Sequence, residues 1–492
     1  MVKTTLAAFV ALAASAAIVE AGSALEWRTR TVYQIMTDRF AVANGAPYPG
    51  QCDGPKRLNY CGGTWNGIRD KLPYIKSMGF DAIWISPTVE NTADGYHGYW
   101  AKDFYNVNDK FGTKEDLKGL VNAAHDQGIW VMVDVVANHL GPNDDVQTFP
   151  APFNKWPDHF HPFQPITNDD YNRNDDKAIE NKCIYDVRLD KMLPDLNSES
   201  AFVKDELNKW VNWLVKEFNF DGIRVDTVKH VPRSFWPDFA RSSGVYAIGE
   251  AFQFDKTLLA TYKDTMDGLF NFGFYDVSSK VFMSKQSMWN IESYLADMRR
   301  LFGQDKLNLL GSFVDNHDLS RFLFTQPDRA LLRNALAFAL FTDGIPFVYQ
   351  GTEQEYAGGA DPENREPLWY VNYKNTTTTQ FFAALNKVRA TAGDAFHKSV
   401  HTTVWTKDNF HAFRRGPVLV ALTNVGSQGQ VAENIASPFP TGTVLVNALD
   451  QNDRVTVSGN TINITLRGEP KVYVAQNFNG ARRVVKRNKT SV

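Results

Sequence analysis

Three carboxylic acids stand directly after short apolar runs: Asp226 in "GIRVD", Glu250 in "YAIGE" and Asp318 in "LLGSFVDNHD". Two carboxyl groups that face one scissile bond are the usual equipment for hydrolysis of a glycosidic bond, in which one acts as the nucleophile and the other as the proton donor. The three acids belong to different runs. Only a fold that brings the ends of those runs together can place them in one site.

The neighbours of two of these acids favour different protonation states. Arg224 stands two positions before Asp226, and side chains two apart on a strand point to the same face. A cation in that place keeps Asp226 ionised and orients it. Glu250 is followed by Ala251 and Phe252, and apolar surroundings raise the pKa of a carboxyl group and hold it as a protonated acid.

Eight apolar runs alternate with segments of helical periodicity. The helical segments, such as "LNKWVNWLVKEF" (207–218), repeat apolar residues at three- and four-residue spacing. Apolar strands that alternate with helices indicate a parallel sheet covered on both faces, and eight such units predict a closed (β/α)8 barrel of the TIM type. The eight predicted strands lie within 32–40, 81–87, 129–139, 222–227, 246–252, 267–275, 309–318 and 345–353.

Polar residues collect at one end of these predicted strands. In a barrel of parallel strands the carboxyl-terminal ends converge on one mouth, where active sites are built. Helix caps and solvated loops explain single Asp and Asn residues, but not the same polar end in run after run. We therefore expect one mouth to carry Asp38, Asn138, His139, Asp226, Glu250, Asp318 and Glu353.

Two regions interrupt the alternation. Residues 141–196 are rich in Pro, Asp, Asn and His, which predicts an irregular domain inserted after the third strand. Beyond residue 396, short β-branched runs separated by Gly, Asn and Asp predict a C-terminal antiparallel β domain. The predicted division is 1–24 for a signal peptide, 25–140 and 197–395 for the barrel, 141–196 for the insert, 396–480 for the β domain and 481–492 for a basic tail.

The N-terminus has the pattern of a secretory signal. Lys3 precedes an apolar run from Leu6 to Val19, and the small residues of "VEAGSA" follow, which predicts cleavage after Ala21 or Ala24. Internal apolar runs are shorter than the roughly 20 residues of a membrane span. A formal net charge of −3 argues against a polyanionic partner. We expect a secreted, extracellular protein that binds neither a membrane nor nucleic acid.

Disulfides form in exported proteins, so the three cysteines can be considered as disulfide partners. Cys52 and Cys61 enclose a loop of Gly, Pro and Asn that suits a disulfide, and Cys183 is left over as a buried free thiol. Glycosylation acceptor triplets, which fit an exported protein, begin at Asn375, Asn463 and Asn488.

Five segments resemble, in order, the motifs of the α-amylases of glycoside hydrolase family 13: "DVVANH" (134–139), "LPDLN" (193–197), "GIRVDTVKH" (222–230), "IGEAF" (248–252) and "FVDNHD" (313–318). Three more resemble secreted fungal members in particular: "GGTWNGI" (62–68), "GYHGYWAKDFY" (95–105) and "GGADPENREPLW" (358–369). The resemblance runs from about Trp27 into the C-terminal β domain. It implies a calcium-dependent, retaining endo-hydrolase of α-1,4-glucosidic bonds.

The resemblance also implies roles for individual residues. Asp226 matches the nucleophile that forms a glycosyl-enzyme, Glu250 the general acid and base, and Asp318 the carboxylate that stabilises the transition state. Arg224, His139 and His317 match residues that hold Asp226 and the sugar at the cleavage point. The other implied substrate contacts are His97, Tyr99 and Trp100 in the glucose pocket, Lys229 and His230 beyond the cleavage point, and Asp361 and Arg365 after the eighth strand.

Several of these residues have plainer explanations. His139 and His317 could satisfy backbone carbonyls near the mouth, Lys229 could be a solvated surface residue and Trp100 an ordinary core residue. Asp361 and Arg365 could form a loop ion pair of little energetic consequence. Their joint occurrence in order along the chain favours the functional interpretation.

A calcium site is implied as well. Asn138 and Asp195 match side-chain oxygen ligands and the carbonyl of His230 supplies a third, and hard oxygen donors of this kind suit Ca2+. Secreted fungal relatives carry an acidic ligand two positions before the equivalent of Cys183. This chain has Asn181 there, with Glu180 beside it, and both remain candidates. The partner of that cysteine corresponds to Gln164, so the insert lacks a disulfide that its relatives have.

Two other functions are compatible with such a barrel. A 4-α-glucanotransferase would use a sugar acceptor in place of water, but the wall-associated fungal relatives of that type tend to lose the equivalent of His139 and carry an apolar C-terminal anchor signal, whereas this tail is basic. A catalytically silent glucan-binding relative would lack a catalytic carboxylate. We therefore favour hydrolysis of starch, glycogen and maltooligosaccharides by a monomer.

Overall fold

A computed structural model describes residues 23–46, 50 and 52–478 of the chain. Most of the predicted signal peptide, the predicted basic tail and the triplet at Asn488 lie outside the described residues. Within the described part, no helix combines the length and the apolarity needed to cross a bilayer.

Eight parallel strands form the centre of the molecule, which confirms the predicted (β/α)8 class. The strands are β1 (Val32–Ile35), β2 (Ala82–Ile85), β3 (Trp130–Val135), β4 (Gly222–Val225), β5 (Tyr246–Gly249), β6 (Gly268–Leu269), β7 (Gly311–Ser312) and β8 (Ile345–Tyr349). They pair in the order β6-β5-β4-β3-β2-β1-β8-β7, and a parallel bridge between Phe270 and Gly311 joins the two ends of the sheet into a barrel.

Each strand is shorter than the apolar run that predicts it. The run of β3 continues to His139, but the strand ends at Val135, and the remainder forms a loop at the barrel mouth. The Asp226 amide, just past β4, still donates to the Val135 carbonyl at 2.9 Å. The polar ends of the runs are therefore the loops that build the site.

Helices surround the barrel and bury their apolar stripes against it. The helix Lys114–Asp126 begins at a capping box in which Thr113 and Asp116 satisfy each other's backbone amides. The longer helices are α1 (Trp65–Ser77), α2 (Lys114–Asp126), α3 (Ala201–Phe218), α4 (Trp236–Ser243), α5 (Trp289–Leu307), α6 (Arg329–Phe341) and α7 (Thr377–His397). Short helical segments span Ala24–Trp27, Thr37–Phe40, Gly54–Leu58, Val146–Thr148, Asn168–Arg173, Asp176–Glu180, Val228–His230, Lys256–Ala260, Phe272–Ser278, Ser279–Met283, Phe322–Thr325, Thr352–Gln354 and Leu368–Val371.

A separate apolar cluster fills the barrel interior. Trp84, Ile248, Phe270 and Phe347 are among its buried members, and Trp27 also packs into it. Side chains that point inward from a closed barrel form a packed core and leave no pore. This rigid interior holds the strand ends, and hence the mouth, in place.

The segment between β3 and α3, predicted as an irregular insert, contains few regular elements. It has the short helices Asn168–Arg173 and Asp176–Glu180 and a small hairpin of Tyr185–Asp186 with Lys191–Met192. Its end returns to the end of β3, where the Leu196 amide donates to the Asn138 carbonyl at 2.8 Å. A second hairpin, Val89–Asn91 with Ala101–Val107, lies between β2 and α2. The predicted domain boundaries themselves stay predictions.

The C-terminal region is antiparallel, as predicted. Six of its strands pair in the order β9-β10-β11-β16-β13-β14, and β12 pairs with β15. Asn334 on α6 joins this region to the barrel, because its Oδ1 accepts from the Thr423 amide at 2.8 Å. The strands are β9 (Thr402–Lys407), β10 (Phe410–Arg415), β11 (Val418–Leu422), β12 (Val431–Ala436), β13 (Val444–Asn447), β14 (Asp450–Thr456), β15 (Thr461–Leu466) and β16 (Lys471–Ala475).

The predicted cysteine chemistry is confirmed. Cys52 and Cys61 form a disulfide, and Cys183 is a buried free thiol. Asn375 and Asn463 are exposed, as an acceptor must be, and their glycosylation stays a prediction.

Candidate active site

The three predicted carboxyl groups meet at the carboxyl-terminal mouth of the barrel. Strands β4 and β5 pair with Val225 opposite Gly249, so Asp226 and Glu250 follow side by side. The Thr227 amide donates to Glu250 Oε2 at 3.2 Å. Burial raises the pKa of Glu250 well above its usual value; Arg224 opposes this shift, and the charges of Asp226 and Asp318 add to it. Burial therefore favours the protonated form of Glu250.

A buried arginine joins two acids beneath this group. Arg224, 1% exposed, places Nη1 3.0 Å from Asp134 Oδ1 and 2.6 Å from Asp226 Oδ1. Burial alone would lower the pKa of Arg224, but the neighbouring Asp134, Tyr99 and Asp226 side chains raise it well above its usual value. This permanent cation fixes one oxygen of the Asp226 carboxylate.

Asp134 is a site residue that the sequence analysis did not single out. It lies in β3 directly opposite Arg224 in the strand register. Its Oδ2 accepts from Trp84 Nε1 at 3.1 Å and from the Tyr99 hydroxyl at 2.8 Å. Burial raises its pKa to about 7, against the opposing charge of Arg224. The sequence signal for Asp134 was its position as the single acid inside the apolar run "IWVMVDVV". Its partner Arg224 could not be inferred, because it depends on the register between β3 and β4.

Asp318 has a different electrostatic environment from Glu250. His317 Nε2 lies 3.2 Å from Asp318 Oδ2, and Arg365 Nη2 donates to Asp318 Oδ1 at 3.3 Å. Burial raises the pKa of Asp318, but the adjacent His317 ring and the positive charges of Arg365 and Arg224 outweigh burial and hold the pKa below its usual value. The mouth therefore combines an ionised Asp318 with a protonated Glu250.

Aromatic rings form the floor of the mouth. The Tyr99 ring stacks on His317 with centroids 5.5 Å apart and planes 8° apart, and His97 stacks on Tyr99 at 5.6 Å. The Tyr99 hydroxyl lies 2.7 Å from His317 Nε2. Tyr99 is half-buried, whereas His97 and Trp100 are buried, with Trp100 edge-on to His97 at 4.7 Å. Tyr99 is thus the ring of this group that is open to the mouth.

His317 and His139 differ in their contacts. Gln34 Nε2 lies 2.6 Å from His317 Nδ1, so both ring nitrogens of His317 contact side chains of the site. Burial lowers the pKa of His317 to about 3, which keeps the ring neutral. His139 Nε2 lies 3.2 Å from the Tyr99 carbonyl, the structural role foreseen for it, and the charge of Asp226 also reaches the His139 ring.

Lys229 and His230 lie in the turn after β4, beside the insert. Lys229 Nζ donates to Asn174 Oδ1 at 3.2 Å, and His230 Nε2 lies 3.0 Å from the Tyr171 hydroxyl. Lys229 is 8% exposed, so it is not the solvated surface residue of the plainer explanation. These contacts attach the insert to one wall of the mouth.

The opposite wall carries an ion pair that reaches across to the insert. Arg365 Nη1 lies 3.1 Å from Asp361 Oδ1, and it donates to the Tyr96 hydroxyl at 3.0 Å. Arg188, in the hairpin of the insert, places Nη1 3.0 Å from Asp361 Oδ2. The insert and the loop after β8 are therefore bridged over one end of the mouth.

Two residues of the predicted polar mouth have structural contacts. Asp38 pairs with Arg39 at 2.8 Å and accepts from the amides of Cys61 and Gly62. Glu353 is fully buried and accepts from the hydroxyls of Tyr33 and Tyr74. These residues fasten the loops around the mouth to the barrel wall.

The residues of the implied calcium site lie partly together. Asn138 and Asp195 are both 1% exposed, and a backbone bridge between His139, in the loop after β3, and Asp195 brings them close together. Asp195 Oδ2 is 2.7 Å from His161 Nδ1, while its Oδ1 is buried with no hydrogen-bond partner. A buried, unpaired carboxylate oxygen beside a carboxamide fits a hard cation. Among the described residues, no three or more His, Cys, Asp or Glu side chains are grouped so that they could hold a metal ion by themselves.

The two alternative ligands differ in their surroundings. The side-chain amide of Asn181, which follows the short helix Asp176–Glu180, donates from Nδ2 to the Lys177 carbonyl at 3.0 Å. Burial raises the pKa of the half-buried Glu180 carboxyl to about 7, and the charges of Asp176 and Glu199 add to that shift. Glu199 lies 2.9 Å from His161, the partner of Asp195.

Acids of opposite protonation state, held at the mouth of a (β/α)8 barrel, cleave glycosidic bonds, and fold and site together define a glycoside hydrolase. A family profile described as "Alpha amylase, catalytic domain" matches residues 34–435. The chain belongs to the α-amylase family, glycoside hydrolase family 13.

Fungal relatives support this assignment over nearly the whole chain. An α-amylase of Saccharomycopsis fibuligera is 36% identical over 92% of each chain. Alpha-amylase 2 of Schwanniomyces occidentalis is 36% identical over 96% of each chain. The solved α-amylase of Malbranchea cinnamomea is 34% identical, with a TM-score of 0.86 over 92% of this chain and 98% of that one.

Proposed function

We propose that the protein is a secreted, retaining endo-hydrolase of internal α-1,4-glucosidic bonds in starch and glycogen. The observation that carries the proposal is the contrast between Asp226, bound at 2.6 Å by a buried cation, and Glu250, whose pKa is raised well above its usual value by burial. A double displacement needs an ionised nucleophile beside a protonated acid, with about 5–5.5 Å between the two carboxyl groups.

Asp226 carries out the first displacement. Its carboxylate attacks the anomeric carbon while Glu250 donates its proton to the glycosidic oxygen, so the bond to the leaving sugar breaks as a bond to Asp226 forms. Glu250, now ionised, then takes a proton from water. The water oxygen attacks the same carbon, releases Asp226 and leaves the product with retained configuration.

The remaining polar residues position the sugar and stabilise charge. Tyr99 offers the apolar face on which a glucose ring stacks, and Asp318, held by His317 and Arg365, accepts sugar hydroxyls and stabilises the positive charge of the transition state. Lys229 and His230 contact the sugar beyond the cleavage point. His97, Trp100 and His139 line the pocket behind Tyr99, and Asp361 contacts the sugar at the bridged end.

The proposed reaction is tested on soluble starch and maltoheptaose. Endo-cleavage should lower starch viscosity and iodine colour early, with products of mixed length, and proton NMR should show the α-anomer first. The initial β-anomer would exclude double displacement. Glucose as sole product would indicate an exo-acting glucosidase, and abundant products longer than maltoheptaose would indicate the glucanotransferase.

We further propose that Ca2+ occupies the site of Asn138, Asp195 and the His230 carbonyl, with Glu180 or Asn181 as the fourth ligand. Such an ion supplies charge for the unpaired Asp195 oxygen and holds the insert against the barrel. The chain's own residues carry out the reaction steps.

Removal of calcium should destabilise the fold. An ion that binds only the native state raises Tm, so EDTA should lower Tm by several degrees, and Ca2+ but not Mg2+ should restore it. The Asp195→Asn variant should lose most of this response, while Asp158→Asn, an exposed acid of the same insert, should keep it. Equal Tm values with and without EDTA in the wild type would contradict the site.

Arg188 should influence which substrates are cleaved fastest. The Arg188→Ala variant removes the bridge to Asp361, frees its Oδ2 for sugar hydroxyls while Oδ1 stays paired with Arg365, and opens that end of the mouth. A rim ion pair contributes up to about 1 kcal/mol, so kcat/KM on starch relative to maltotetraose should rise about two- to fivefold. The control is Lys191→Ala, which removes from the same hairpin a lysine that forms an exposed ion pair with Asp144. An unchanged ratio in Arg188→Ala would show that the bridge does not restrict the mouth.

Secretion and a monomeric state complete the proposal. The N-terminal pattern, the Cys52–Cys61 disulfide and the exposed acceptors Asn375 and Asn463 support export. Protein recovered from the culture medium should begin at Gly22 or Leu25. Retention of the whole chain inside the cell would contradict secretion.

A further inference from the structure

A cluster of arginines lies at the end of the barrel opposite the catalytic mouth. Arg28 and Arg30 precede β1, Arg389 belongs to α7 and Arg415 ends β10, and His397 lies among them at the end of α7. We call these five residues the arginine cluster. It joins the N-terminal end of the barrel to the C-terminal β region.

Shared contacts bring these side chains together. Arg28 Nη2 and Arg415 Nε both donate to the Ser399 carbonyl, at 3.4 and 3.1 Å. The Arg389 and Arg415 guanidinium groups both lie over the Phe396 ring, at 5.2 and 4.5 Å from its centroid. Arg389 Nη2 also donates to the Arg30 carbonyl at 3.2 Å.

Each of four members has a buried nitrogen with no hydrogen-bond partner. The atoms are Arg28 Nε, Arg30 Nε, Arg415 Nη2 and His397 Nδ1. Arg415 is 1% exposed and His397 7% exposed, so solvent does not replace the missing partners. Buried polar groups are normally paired, and a buried charge without a partner costs several kcal/mol. Four unpaired nitrogens in one cluster point to an absent acceptor.

The neighbouring acids are already engaged. Asp81 lies 3.5 Å from Arg30 and accepts from the Thr31 amide at 2.8 Å, and Asp343 lies 3.2 Å from Arg299 and accepts from the His401 amide at 2.9 Å. The negative charge of a third acid, Asp305, acts on Arg28 and partly offsets the lowering of the Arg28 pKa by burial. The cluster therefore carries excess positive charge.

Arg389 and Arg415 show this excess most clearly. The hydrogen bonds of Arg389 go to the Thr31 hydroxyl and to the carbonyls of Arg30 and Leu340, and those of Arg415 go to the carbonyls of Ser399 and Thr342. Neutral acceptors of this kind do not balance a buried charge. Burial lowers the pKa of Arg389 to about 9 and that of Arg415 to about 10. Burial and the four arginines lower the pKa of His397 to about 2.

We propose that the arginine cluster binds a small inorganic anion, such as chloride or an oxyanion, between Arg28, Arg30, Arg415 and His397. The anion accepts hydrogen bonds from the unpaired nitrogens, compensates the buried charge and fastens the C-terminal β region to the barrel. Arg28 and Arg30 are only partly buried, which leaves a route by which the ion enters. This site is independent of the proposed glucan hydrolysis at the other end of the barrel.

Thermal unfolding of the whole protein tests the proposal directly. Sodium chloride and sodium phosphate are titrated at one pH and at an ionic strength held constant with sodium gluconate, whose anion is too large for the cluster. Binding to the native state alone should raise Tm in a saturable way, by about 3–8 °C. The anion that saturates at the lower concentration is the preferred ligand.

Two variants separate specific binding from a general salt effect. Arg415→Met should lose the saturable rise, whereas Arg414→Met, which removes an exposed arginine from the adjacent position of β10, should keep it. If both variants retain the wild-type response, or if the wild type shows no saturation, the proposal is wrong.

A direct measurement covers the case in which Arg415→Met does not fold. Wild-type crystals soaked in sodium bromide should show an anomalous peak among Arg28, Arg415 and His397. Absence of such a peak, in crystals where bromide appears elsewhere on the surface, together with no saturable rise of Tm in phosphate, would overturn the proposal without any variant.

Discussion

The Glu250→Gln variant is expected to lose about 10²- to 10⁴-fold of kcat on starch while it still binds oligosaccharide. Glutamine keeps the shape of the side chain and its contact with the Thr227 amide, but it cannot donate a proton to the leaving oxygen. The loss should therefore appear in kcat and not in KM. Initial rates on starch, with binding of maltoheptaose measured by calorimetry, check this split.

A substrate with a good leaving group separates the acid from the nucleophile. The leaving fluoride of α-maltosyl fluoride needs little protonation, so Glu250→Gln should recover much of the first step on this substrate. The matched variant Asp226→Asn should not recover, because bond formation to carbon is lost. An undiminished rate of Glu250→Gln on starch would mean that another residue is the acid.

The Glu250→Gln variant should also change the pH dependence of the reaction. The acid must be protonated for the first displacement, so kcat falls as the pH rises through the pKa of Glu250. Burial raises that pKa, which places this fall above the usual range of a carboxylic acid. In Glu250→Gln with α-maltosyl fluoride, the fall at high pH should disappear from the rate of the first step.

The Arg224→Met variant should lose both activity and stability. It leaves the buried carboxyl groups of Asp134 and Asp226 without their cation, and removal of one partner from a buried pair costs about 3–5 kcal/mol. Urea unfolding should report a loss of this size. Hydrolysis of starch should fall with it, because Asp226, the proposed nucleophile, loses the cation that holds it in place.

The pH dependence of this loss has a definite sign. A buried acid whose folded-state pKa lies above its unfolded value stabilises the fold below the unfolded pKa, and this contribution is lost as the pH rises through the folded one. Asp134 already titrates at about 7 with Arg224 present, and loss of the cation raises its pKa further. The deficit of Arg224→Met should therefore shrink as the pH falls from 7 toward about 4.

A double variant separates stability from catalysis. Asp134→Asn combined with Arg224→Met removes one of the two uncompensated acids, so it should recover part of the lost unfolding free energy. It should not recover activity, since Asp226 still lacks its cation. If Arg224→Met alone has wild-type stability and rate, the bridge between the two acids has no importance in solution.

Local patterns in the sequence were sufficient to predict the barrel and to assign the three carboxyl groups to its mouth. Apolar runs and helical periodicity depend only on neighbouring residues, and all eight predicted strands occur in the structure. In a parallel barrel the ends of these runs must converge, so Asp226, Glu250 and Asp318 could be assigned to one mouth before any contact was known. The runs overstated strand length, because the residues after Val135, Val225 and Ser312 continue the run but form loops.

Contacts that depend on register and on chain crossings were decided only by the tertiary structure. Asp134 is a site residue because β3 pairs with β4 so that it faces Arg224, and a shift of one residue would turn it to the other face of the sheet. Arg188 meets Asp361 across 173 positions of sequence, and Arg28 shares an acceptor with Arg415. The sequence by itself determined the class of fold and the chemistry at its mouth, because both follow from short-range periodicity. Burial and long-range pairing decided which charges have partners, since these arise only when distant segments pack together.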